Sequence, residues 1–144
     1  MRSPCSDYIE TKGIVFFARM LDKLRLKDQR LLPADYNYAG CPVHDCFDGY
    51  CCRFFGIDAA QLVERVRRGG TDEEILEWCF EKFGRPTEEK IKFWNNFVIK
   101  RGWRDDSSAE LEEVKRASGF GDRTDIKTWV DYHDADEGRE LRKF

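Results

Sequence analysis

Apolar residues recur at helical spacing in stretch after stretch, and nowhere do they alternate at the spacing of two that marks a half-buried strand. Thr71-Asp72-Glu73-Glu74 is a capping box, in which hydroxyl and carboxylate each satisfy an orphan amide. Behind it, Ile75, Leu76, Cys79, Phe80 and Phe83 share one face, widened by Trp78. Pro86-Thr87-Glu88-Glu89 opens the next helix, with Ile91, Trp94, Phe97 and Val98 as its stripe. Asp58 caps a helix carrying Leu62, Val63 and Val66, and a longer first helix is predicted from Lys12 to Leu31, ended by Pro33. Two shorter helices follow Ser107-Ser108 (Leu111, Val114, Ala117) and Thr124-Asp125 (Ile126, Trp129, Val130). Linkers are short. The pattern predicts an all-α fold: one compact domain over 1–144, an array of six to seven short-to-medium helices.

At 144 residues the chain can bury a core without covalent staples. Its 25 Lys and Arg are interleaved with 28 Asp and Glu for a net charge of −3, which lacks the basic excess of a nucleic-acid footprint. No apolar run is long enough for a bilayer, and the N-terminus lacks the apolar core of a secretion signal. A cytoplasmic setting is therefore expected, where six cysteines read as thiols or ligands rather than disulfides.

Four of those cysteines crowd into "CPVHDCFDGYCC" (41–52). Cys41, His44 and Cys46, with one of Cys51 and Cys52, offer four ligands of the kind tetrahedral zinc takes, though without a paired Cys-x2-Cys knuckle. Adjacent Cys51 and Cys52 point about 100° apart on a helix, so only one can serve the same ion. Asp48-Gly49 reads as a helix start, after which Tyr50, Cys51, Phe54 and Phe55 share an arc and make Cys51 a core residue. Cys79 reads the same way. Cys52 is then the fourth candidate ligand, and Cys41, extended before Pro42 and near His44, is the candidate nucleophile with His44 as acid or base.

The first helix holds a second constellation. Arg19, Asp22 and Lys23 gather on a side that Val15 and Leu26 frame with apolar groups, unlike an ordinary solvated face. One reading is a surface Arg19–Asp22 pair. The sharper one is a half-buried ionic cluster lining a pocket, where Arg19 or Lys23 holds an anionic ligand and Tyr36 and Tyr38 add hydroxyls. The acidic run "DYHDADEGRE" (131–140) fits no EF-hand register and reads as a helix end stopped at Gly138. His133 extends an apolar face and reads as a packed histidine; Trp103 is expected to seal the core.

Three stretches, "GIVFFARMLDKLR" (13–25), "DYNYAGCP" (35–42) with "FFGID" (54–58), and "DADEGR" (134–139), give the chain a resemblance to a bacterial family of small helical domains of unknown function. The resemblance runs over nearly the whole chain and rests on Arg19, Asp22, Lys23, Tyr36, Tyr38, Cys41, Pro42 and the Glu137-Gly138-Arg139 ending. Cys46, Cys51 and Cys52 lie outside the family pattern, so any metal there would be special to this branch. The family implies a fold and no activity.

Three functions stay open. The leading one is a protein that binds a small anionic molecule, or a small enzyme, with a polar pocket between the first helix and the Cys-Pro turn and no cofactor. The others are a non-catalytic, homo-oligomeric interaction module, and a helical domain stabilised by zinc at the cysteine turn. Nucleic-acid and membrane partners are not expected. Whether the chain is an enzyme is not decided by its sequence.

Overall fold

The computed structural model describes all residues, 1–144. A two-stranded antiparallel hairpin, β1 (Glu10–Thr11) and β2 (Ile14–Val15), is followed by seven helices: α1 (Phe17–Asp28), α2 (Phe47–Phe55), α3 (Ala59–Arg67), α4 (Asp72–Phe83), α5 (Glu88–Lys100), α6 (Ser108–Ala117) and α7 (Trp129–Asp136). The fold is essentially all-α, as the hydrophobic pattern predicts. No helix is long and apolar enough to cross a membrane. The chain divides into two compact units, Met1–Trp94 and Asn95–Phe144.

In the first unit the predicted first helix is shorter at both ends. Lys12 and Gly13, at φ 48° and 82°, form a two-residue turn that takes residues 10–15 into the hairpin. The pattern missed these strands because two residues are too few to show alternation. Phe16 then sits at φ 74° and starts α1 with no side-chain cap. That conformation costs a bulky residue about 1–3 kcal/mol, and packing holds it: its ring lies 5.5 Å from Phe47 and 6.4 Å from Trp94. At the other end Arg30 turns left-handed (φ 60°), and Leu31 N–H donates to the Leu26 carbonyl at 2.8 Å, a Schellman stop upstream of Pro33.

The remaining boundaries follow their caps. Asp58 accepts from Gln61 N–H, and Thr71 and Glu74 close the predicted capping box in both directions. The second helix begins at Phe47, with Cys46 rather than Asp48 as its cap. Helix α1 packs on α3 and α4, and Leu62, Val66, Ile75, Leu76 and Cys79 are buried, as are Ile14, Phe17, Met20 and Leu21. Trp94 is buried as well, and its indole N–H donates to the Val15 carbonyl at 3.0 Å across 79 residues of chain.

The second unit is fastened around α6 and α7. Gly102 (φ 99°) leaves no room for a side chain, since a Cβ there would lie 2.9 Å from Leu111 and 3.2 Å from the Trp129 amide nitrogen. Trp129 donates its indole N–H to Ser107 at 2.7 Å. Lys115 is buried and donates to the Ile126 carbonyl at 2.9 Å. Arg139 reaches Asp134 at 2.8 Å and also bonds Glu137, so the Glu-Gly-Arg ending folds back on α7. Ile126, expected inside the last helix, is buried but precedes α7, and His133 packs against Trp129 and Tyr132. Trp103 does not seal the core: it is 47% exposed, next to Arg104, whose φ of 53° belongs to a surface turn.

Candidate functional site

Helix α1 carries cations at every fourth residue, Arg19, Lys23 and Lys27, and therefore on one stripe. Each meets a ring: Arg19 lies 5.9 Å from the Tyr36 centroid, Lys23 5.3 Å from Phe16, and Lys27 4.7 Å from Tyr38. Tyr36 and Tyr38 are thus beside this stripe, but as faces over which cations sit. Arg19 and Lys23 are more deeply buried than the half-buried cluster expected of them. Arg19 is 3% exposed and Lys23 5%.

Both cations are matched by carboxylates from elsewhere in the chain. Lys23 Nζ donates to Asp48 Oδ2 at 2.6 Å, and both side chains are buried. Arg19 lies 3.7 Å from the buried Asp7 and donates to the Cys5 carbonyl at 3.1 Å. Asp22 accepts from the Cys5 amide at 2.9 Å, so the Cys5 backbone is held from both sides. The expected surface pair Arg19–Asp22 is replaced by these longer-range partners, because the N-terminal segment covers the helix there. Asp7 and Asp48 were not among the sequence candidates. Two cations framed by apolar residues demand nearby carboxylates, which was the signal pointing to them.

Two carboxylates, Asp7 and Asp48, thus meet two cations, Arg19 and Lys23, while Asp22 is occupied by the Cys5 amide. Asp48 Oδ1 is buried and receives no hydrogen bond from the chain. The arrangement suits a fixed ionic joint between α1, the N-terminal segment and α2.

In the cysteine turn Cys52, read from the sequence as the fourth candidate ligand, is buried like Cys51. Cys51, Cys52 and Cys79 are buried, while Cys5, Cys41 and Cys46 are partly exposed. Burial pushes the Cys52 and Cys79 thiols up to about 12 and the Cys51 thiol well above its usual range. Cys46 caps α2 by accepting from Gly49 N–H at 3.4 Å, and burial also raises its pKa, with Asp48 adding to the rise. His44 is exposed and shares a 3.0 Å contact with Asp45, which lowers the Asp45 pKa. No hydrogen bond joins Cys41 to His44. Cys41, His44, Cys46 and Cys52 are not gathered either: no group of three or more His, Cys, Asp or Glu side chains is placed to hold a metal.

The other unusual surface is on α5. Phe93 is 60% exposed and Phe97 38%, although Phe97 belongs to the stripe predicted to be buried. Trp94 and Val98 take the buried side instead. Glu89, Phe93, Phe97 and Lys100 are all exposed and follow one another at helical spacing along one face. Arg101 lies 5.5 Å from the Phe97 centroid.

A small helical domain with a closed ionic joint and an open aromatic helix face is the class that these features define. The chain belongs to the family described as a domain of unknown function, DUF5069, which matches residues 1–139. No curated protein matches it.

Proposed function

We propose that this chain is a non-catalytic interaction module that works through the exposed face of α5. The observation that carries this reading is the pair Phe93 and Phe97, 60% and 38% exposed one turn apart while the flanking Trp94 and Val98 are buried. Exposed rings on a regular, rigid element are the usual anchors of protein interfaces. The six free cysteines suit a reducing, cytoplasmic setting. A photo-crosslinking phenylalanine at position 93, in cells, is expected to give a discrete adduct. A yield no higher than from the same group at exposed Ile9 would overturn the proposal.

The reading as a binder of small anions has less support. Arg19 and Lys23 are each matched by a carboxylate of the chain, Asp7 and Asp48. It predicts that Arg19→Ala abolishes thermal stabilisation by an anionic metabolite, and an unchanged response would remove it. The zinc reading predicts about one equivalent of zinc in protein purified without a histidine tag; less than about a tenth would end it.

A further inference from the structure

The exposed face of α5 has a charge pattern that is complementary to itself when the helix is reversed, Glu89 then falling against Lys100. Glu89 stands at its start, Phe93 and Phe97 lie to either side of the middle, and Lys100 closes it. All four lie within an arc of about 80°, and Glu89 and Lys100 are separated by about 16 Å along the axis. Neither Glu89 nor Lys100 has an ion-pair partner within the chain, whereas many other surface charges do: Lys12 pairs with Glu77, Arg25 with Asp72 and Arg67 with Asp28.

The geometry points to a second copy of this chain as the occupant of that face, packed antiparallel, α5 against α5. This rests on the reading of α5 as an interaction surface and names the partner. A twofold axis near Asn95 sets Phe93 of one copy against Phe97 of the other, and does so twice. The same operation sets Glu89 against Lys100 at both ends. Such self-complementarity is what an isologous interface requires. Antiparallel packing also aligns the two helix dipoles head to tail, while a parallel arrangement would oppose Glu89 to Glu89 and Lys100 to Lys100. A foreign partner needs no symmetry in the face it meets.

Sedimentation velocity on the full chain tests this, with circular dichroism confirming that each variant is folded. The parent is expected to be a dimer at micromolar concentration. Phe93→Ser with Phe97→Ser should weaken association by roughly 30-fold or more, because both rings are interface anchors. Glu89→Lys and Lys100→Glu should each weaken self-association by about three- to tenfold through like charges at both ends. Mixed together, those two single variants should form a heterodimer tighter than either homodimer, an effect no merely structural role would produce. A parent monomeric at about 1 mM, a dimer indifferent to loss of both rings, or a mixture no tighter than its components would each overturn the proposal. A Phe93 adduct of twice the chain mass supports self-association. A discrete adduct of another mass would overturn it and leave the interaction reading standing.

Discussion

Helix α1 keeps its cations inside, and helix α5 leaves its rings outside. Lys23 and Arg19 are nearly as buried as the neighbouring leucines, whereas Phe93 is more than half exposed. Residue type alone would assign these places the other way round. What decides is what else arrives. Asp48 from α2 and Asp7 from the N-terminal segment reach the cations of α1, so charge is tolerated there. On α5, by contrast, Phe93 keeps 60% of its surface exposed. The ionic joint belongs to stability, and the aromatic face is available for recognition.

The contrast is broken most severely at Lys23. Lys23→Met leaves Asp48 buried without its partner and should cost about 3–5 kcal/mol in urea unfolding. Adding Asp48→Leu should recover most of that loss, because the pair then gives way to apolar groups of similar size. A double variant no more stable than Lys23→Met would mean that the joint does more than match charge.

The buried thiols give a smaller and pH-dependent effect. The fold raises the Cys52 and Cys79 pKa from an ordinary 9.0 to about 12, so it favours the neutral thiol. Their contribution is intact below pH 9 and is lost as pH rises toward 12. Replacing both by alanine should flatten the alkaline arm of the stability profile while lowering stability at neutral pH. A bulky thiol reagent should label Cys5, Cys41 and Cys46 in the native protein and reach Cys51, Cys52 and Cys79 only on unfolding. Native labelling of the latter three at the rate of the others would contradict their burial.

The smallest change belongs to the rings. Phe93→Ser or Phe97→Ser should alter the chain's own stability by only about 0.5 kcal/mol, measured at a concentration where it is monomeric. A loss several times larger would show that these rings support the fold.

Much of the fold was legible because local chemistry governs it. The capping box at Thr71 and Glu74, the Asp58 cap and the left-handed Gly138 (φ 80°) after α7 act over a few residues, and the sequence displays them directly. The hairpin was hidden by its brevity. The candidate site was legible only by half. Arg19, Asp22 and Lys23 could be picked out from their apolar framing, but Asp7 and Asp48 lie 12 and 25 residues from their partners, and no local periodicity joins them. Phe97 fitted the buried stripe by spacing; the burial of its neighbour Val98 turns it outward.

The bond from Trp94 to the Val15 carbonyl also sets an order of events during synthesis. The hairpin, which ends at Val15, leaves the ribosome 79 residues before the indole that locks it. At cellular elongation rates that is a wait of roughly 4–16 s. Phe47 and Asp48 follow early in that interval, but until its end Phe16 lacks Trp94, the second ring that packs on its strained backbone. The first unit is therefore a late folder whose earliest-made segment is the last to be secured, and the nascent chain is most in need of chaperone protection before residue 94 emerges.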